Sequence, residues 1–187
     1  MKKFMMLLLT VFLCAGMALV AGCGAEPTAS SGSGEAPDLK AVRDRGVLKV
    51  GIKVDVPKFG FKDPNTGEIS GMEIDLAHRM AKEILGDASK VEFEPVTAKT
   101  RGPLLDNGEV DFVIATFTVT DERKKSYNFT EPYFKDGVAL MVKKAANIQS
   151  LADLDGKKIG VAQSATSKQA LLDAMKEKGV KAEILEF

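Results

Sequence analysis

The chain has 187 residues, 45% of them hydrophobic and 28% charged, which is the balance of a folded globular protein and not of a disordered or membrane-embedded one. Its 26 basic and 26 acidic residues leave no basic excess to attract nucleic acid, so a nucleic-acid partner is not expected. Length alone allows one or two domains.

The first segment has to be set aside before the fold is considered. Lys2 and Lys3 precede an apolar run over 4–20, and Leu19-Val20-Ala21-Gly22-Cys23 follows. That order is a charged region, an apolar region and a small-residue cleavage site. A membrane anchor is the competing reading, because the run approaches the ~18 residues of a short span. The abrupt Gly-Cys-Gly stop and the polar stretch after it disfavour an anchor. The segment resembles a bacterial lipoprotein signal with its lipobox, which implies cleavage before Cys23 and a lipid on that cysteine. Cys14 would leave with the signal, so the mature chain would hold no thiol for a disulfide, a metal cluster or a nucleophile. Residues 24–37, GAEPTASSGSGEAP, are small, polar and bounded by proline, and read as a flexible tether.

After a helical turn at 38–45, the β-rich run 47–52 is the first expected strand, and the turn formers of 62–68 mark a surface loop. Leu76, Met80 and Ile84, with Ala77, Ala81 and Leu85, recur at three and four and predict a helix over 72–85 that Gly86 ends. Val91 to Val96 alternates like a strand with one polar side. A helix fits 101–107, with Pro103 tolerable in its first turn, and 111–115 is a continuous apolar run typical of a central parallel strand. Further strands are expected at 138–142, 158–162 and 181–185, with a short helix at 150–154 and a longer one at 167–178 that Gly179 ends. The pattern is α/β throughout. Residues 144–187 supply about one βαβ unit, and a piece of ~40 residues rarely buries enough surface to stand alone.

Three stretches carry a family resemblance. Gly71-Met72-Glu73-Ile74-Asp75-Leu76 fits a Gly-aromatic-acidic-apolar-acidic-apolar signature, with Met72 in the aromatic place. Residues 115–133, ATFTVTDERKKSYNFTEPY, fit a second signature of alternating threonines, an arginine and Phe-Ser/Thr-x-Pro-Tyr. Ser150 to Lys157 and Gly160-Val161 follow in the family's order. From about Leu39 onward the chain resembles the extracytoplasmic solute-binding proteins of ABC importers, in the family that binds polar amino acids. Lys99 to Gly108 and Ile114 to Thr118 look like its aspartate/glutamate-binding branch.

The resemblance implies a periplasmic-binding-protein-like α/β fold of two lobes that close over one amino acid. It places a signal peptide at 1–22, an anchor and linker at 23–37, lobe one at 38–137, a hinge strand at 138–143 and the first part of lobe two at 144–187. In the family the chain returns to finish lobe one. Here it crosses near 138–143 and does not return, so lobe one is expected nearly complete and lobe two truncated.

An amino-acid ligand offers an α-carboxylate, an α-ammonium and a side chain, and each needs a partner in a partly dry cleft. For the carboxylate, Arg123 offers a bidentate fork, Thr118 a hydroxyl and an N–H, and Thr120 a cap on a short helix at 121–126. The same spacing fits threonines that merely decorate a strand, with Arg123 paired to Asp121 or Glu122; the resemblance favours the clamp. It also carries over the backbone at Ala115 and Thr116, whose carbonyl would accept the ammonium. The family's second ammonium partner, an aspartate late in lobe two, falls beyond Phe187. Lys53 and Arg101 would face a side-chain carboxylate, which predicts Asp or Glu over Gln; the alternative for Lys53 is an ordinary solvated lysine. Val54 to Phe59 replaces an aromatic-proline-proline-aromatic loop, leaving Phe59 or Phe61 for stacking. From lobe two, Gln163, Thr166 and Ser167 open a helix whose N–H groups can meet the carboxylate from the other side.

No nucleophile arrangement occurs at useful spacing, and the single histidine, His78, reads as a surface residue. The expectation is therefore a lipid-anchored extracytoplasmic binding protein, not an enzyme. It would act as a monomer without cofactor or metal, and deliver an acidic amino acid to an ABC permease. The alternatives are a non-functional truncated fragment and a periplasmic cyclohexadienyl-type dehydratase on the same fold, which would need a general acid.

Overall fold

The computed structural model describes residues 35–187; the expected signal, Cys23 and most of the linker lie outside the described residues. Helix α1 (Pro37–Arg45) opens the fold, with proline in its first turn and Gly46 closing it in the left-handed conformation, φ 76°. Strand β1 (Leu48–Ile52) is the centre of a parallel sheet, flanked by β5 (Val91–Pro95) and β6 (Phe112–Ile114) in the order β5-β1-β6. Having neighbours on both sides explains its apolar character: Leu48, Val50 and Ile52 are fully buried. Glu92 and Glu94 of β5 stay exposed, as the alternation predicts.

Helix α2 (Met72–Leu85) covers this sheet with Ile74, Ala77 and Ala81 and ends at left-handed Gly86. Its start depends on Gly71. This residue has φ 130°, and a Cβ there would stand 2.2 Å from the Phe59 carbonyl oxygen. The close approach lets the Met72 and Glu73 amides donate to the carbonyls of Lys58 and Phe59, which supplies two of the helix's free N–H groups with acceptors.

Those carbonyls belong to a small antiparallel meander, β2 (Asp55–Val56), β3 (Gly60–Lys62) and β4 (Ile69–Ser70), that the sequence reading did not contain. Strands of two or three residues are too short to show a period. Helix α3 (Arg101–Asp106) joins β5 to β6 as expected.

The second α/β unit is small and regular. Parallel strands β7 (Lys158–Val161) and β8 (Glu183–Glu186) are linked by α4 (Ser167–Lys178), over a core of Leu154, Leu171, Met175 and Val180. A 3₁₀ turn (Leu151–Leu154) begins with a capping box between Ser150 and Asp153. The Gln149 and Ser150 amides hold the Asp153 carboxyl below its ordinary range.

Three expectations are corrected. Residues 138–143 form no strand: Val138 is 57% and Met141 99% exposed, and among the described residues no strand lies beside them to share hydrogen bonds. The helix at 121–126 is a single 3₁₀ turn, Arg123–Lys125, with the Arg123 amide donating to the Thr120 hydroxyl at 3.2 Å. His78 is half-buried where a surface place was expected; its Nδ1 lies 2.7 Å from the Ala88 carbonyl oxygen and its ring meets Phe93 edge-on.

Candidate ligand-binding site

The chain leaves β6 through Ile114 and Ala115, both buried, and turns sharply at Thr116, whose φ is 49°. A β-branched residue adopts the left-handed region only when its surroundings impose it. Here two oppositely charged side chains do so. The Thr116 amide donates to Glu73 Oε1 at 2.7 Å, while the Arg101 guanidinium donates to the carbonyls of Ala115 at 2.7 Å and Thr116 at 3.1 Å. Glu73 and Arg101 are the two charged side chains buried among the described residues, at 0% and 3% exposure. Burial, then repulsion from Arg123, lowers the Arg101 pKa to about 10, with Glu73 and Tyr133 opposing the shift. The Tyr133 hydroxyl also donates to Glu73 Oε1, at 2.6 Å; burial first, then that bond, raises its pKa.

Two residues further on, Arg123 donates to the Thr118 carbonyl at 2.7 Å and, across to the second unit, to the Ser164 carbonyl at 2.8 Å. Ser164 holds φ 60° in the loop before α4. Both guanidinium groups lie over the Phe117 ring, Arg101 at 4.2 Å and Arg123 at 4.6 Å from its centroid. Tyr127 and Phe129 pack on the same ring. Thr116 and Thr118 themselves are exposed on the rim of a cavity of about 1150 Å³ that Glu73, Phe117 and Tyr133 also line. A smaller hollow of about 330 Å³, beside Lys49, Glu92 and Glu109, contains none of the residues expected to bind a ligand.

The structure thus sets Arg101 and Arg123 against the 115–118 stretch of Ala115, Thr116 and Thr118, and brings Arg123 to the loop before α4, where Gln163 and Thr166 precede Ser167. Those three are half-buried at the start of α4, and the Gln163 amide is engaged by the Phe187 carbonyl at 2.8 Å. It does not bring Lys53 and Arg101 together as a free pair. Lys53 lies 2.9 Å from Asp55, and Arg101 is turned inward onto backbone carbonyls and Phe117. Phe59 packs edge-on against Phe134 at 5.0 Å.

Glu73, Phe117, Tyr133 and Ser164 were not among the expected site residues. Glu73 had a readable signal: it lies on the same helical stripe as Ala77 and Ala81, where a carboxylate needs buried partners. Among the described residues no group of three or more His, Cys, Asp or Glu gathers as a metal site would, and no helix is long and apolar enough to cross a membrane.

Two α/β units are thus bridged by Arg123 at a threonine-rich turn. Residues 48–186 match the family of bacterial extracellular solute-binding proteins, family 3, and the chain belongs to it. It is 40% identical over 191 residues to the ABC transporter glutamine-binding protein GlnH of Bacillus subtilis (strain 168), covering 100% of this chain and 67% of that one. To the glutamine-binding protein of Geobacillus stearothermophilus it is 47% identical over 132 residues, 70% of this chain and 50% of that one. Among solved structures, the ancestral amino-acid-binding protein AncCDT-1, a precursor of cyclohexadienyl dehydratase, superposes with TM-score 0.68 at 40% identity, over 80% of this chain and 64% of that one. The chain therefore spans between half and two thirds of the length of these relatives.

Proposed function

We propose that the chain is the extracytoplasmic amino-acid-binding component of an ABC importer and that its ligand is glutamine. The observation that carries the choice of ligand is the fate of the two cations expected to face a side-chain carboxylate. Arg101 is buried against the Ala115 and Thr116 carbonyls with the Glu73 carboxylate as its nearby counter-charge, and Lys53 is paired with Asp55, so neither presents an exposed, unpaired cation to a second acid. A neutral amide side chain needs donors and acceptors but no counter-charge, and it avoids the several kcal/mol of leaving a carboxylate half-paired. That two relatives are named for glutamine supports the same choice over Asp or Glu.

In this reading the α-carboxylate takes the place of the Ser164 carbonyl on Arg123, with Thr118 beside it. Ala115 and Thr116 supply the backbone near the ammonium, and Gln163, Thr166 and Ser167 close from the second unit. Closure is the mechanism: a ligand that touches both units favours the closed arrangement by as much as its extra contacts there. A lipid on Cys23 and the tether up to residue 37 would hold a monomer at the outer face of the membrane, near its permease.

Thermal unfolding tests this. Glutamine at a hundredfold excess over its Kd should stabilise the protein by about 2.7 kcal/mol, and Arg123→Ala should abolish the rise in midpoint. A midpoint indifferent to every amino acid, or a rise that survives Arg123→Ala, would contradict the assignment.

A further inference from the structure

Glu73 is buried without any exposure, its Oε2 has no hydrogen-bond partner, and the ligand chemistry above does not use it. A carboxylate in such a place is costly unless its charge does something that an apolar residue could not. Its Oε1 accepts from two donors that lie far apart in sequence, the Thr116 amide at 2.7 Å and the Tyr133 hydroxyl at 2.6 Å. Arg101 grips the carbonyl of the same Thr116 at 3.1 Å. Thr116 is therefore held at both ends in a left-handed backbone that threonine does not adopt freely. Tyr133, on the other arm, belongs to the segment through which the chain passes toward the second α/β unit.

We propose that Glu73 is a positioning residue of the amino-acid site, which never touches the ligand. It fixes the turn at Thr116, so that the 115–118 backbone is preformed for the ligand's polar groups. Through Tyr133 it ties that turn to the segment leaving the first unit. The proposal rests on the amino-acid-binding reading, but the state of the Thr116 amide can be read without any ligand.

A double-mutant cycle on the full chain tests it. Glu73→Met keeps the volume and removes the acceptor. It should weaken glutamine binding by about tenfold or more, whereas Glu73→Gln, which retains an acceptor oxygen, should stay within about threefold of the parent. Glycine adopts positive φ without being held. In a Thr116→Gly background, Glu73→Met should therefore cost less than about threefold. Equal losses in both backgrounds would show that Glu73 only supports the core and would overturn the proposal.

Should Glu73→Met not fold, Tyr133→Phe reads the other arm. A fall in affinity of about threefold or more is expected, and an unchanged affinity would overturn the link to the crossing segment. If the parent binds no amino acid, the functional reading fails while the positioning claim is still decided by hydrogen exchange. The Thr116 amide should be protected in the parent and exchange at least about tenfold faster when Glu73 is replaced by Met, with Val50 unaffected. A Thr116 amide that exchanges freely in the parent would contradict it.

Discussion

Arg101, expected to face a ligand's side-chain carboxylate, instead donates to backbone carbonyls. Its position at the start of α3 suggested a cation aimed at a ligand. The fold turns it onto carbonyls of residues 115 and 116, a relation that helix spacing does not display. A base whose folded pKa lies below its ordinary value, here at about 10, disfavours folding while it is charged. Between those two values the unfolded state holds more protons, so this group's contribution to stability rises with pH across that window and is least favourable below it. The arginine is nevertheless needed, because its removal strands two carbonyls and leaves Glu73 without a compensating charge. Arg101→Leu should lower the unfolding free energy by about 2–4 kcal/mol, measured by urea denaturation; a change under about 0.5 kcal/mol would show that the carbonyls find other partners. Arg123 and Thr118 meet within a single turn of chain, yet their spacing alone also fitted a decorated strand, and it was the family resemblance that singled them out.

At the level of elements, α2 and α4 were legible because each is a long run that ends in glycine, and the parallel strands from their short apolar or alternating runs. The meander β2–β4 was not, because its strands are shorter than one full alternation. The stretch 138–143 misled for a different reason: its composition is that of a strand, but a strand exists only beside a neighbour. Gly71 is where an element boundary becomes a testable constraint. With φ 130° and the Phe59 carbonyl oxygen 2.2 Å from any added Cβ, Gly71→Ala must push α2 away from the meander. It should destabilise the protein by at least about 2 kcal/mol, seen as a lower thermal midpoint by circular dichroism. Retention of the parental midpoint would mean that the backbone there relaxes at little cost.

For the whole molecule, two separate cores, one under α2 and one under α4, are joined by the irregular chain from 126 to 143 and bridged where Arg123 reaches Ser164. The α/β class and the family were legible from the order of motifs along the chain. The chemical character of the ligand was not, because it depends on which charges are already paired once the chain has folded. Lys53 and Arg101 look free in the sequence and are engaged in the fold. The central claim, that a neutral amide and not a second carboxylate is selected, is tested by titration calorimetry of glutamine, glutamate and aspartate under one set of conditions. Glutamine should bind at least about tenfold more tightly than either acid, a difference of about 1.4 kcal/mol. Tighter binding of glutamate or aspartate would contradict the account and return Lys53 and Arg101 to the ligand.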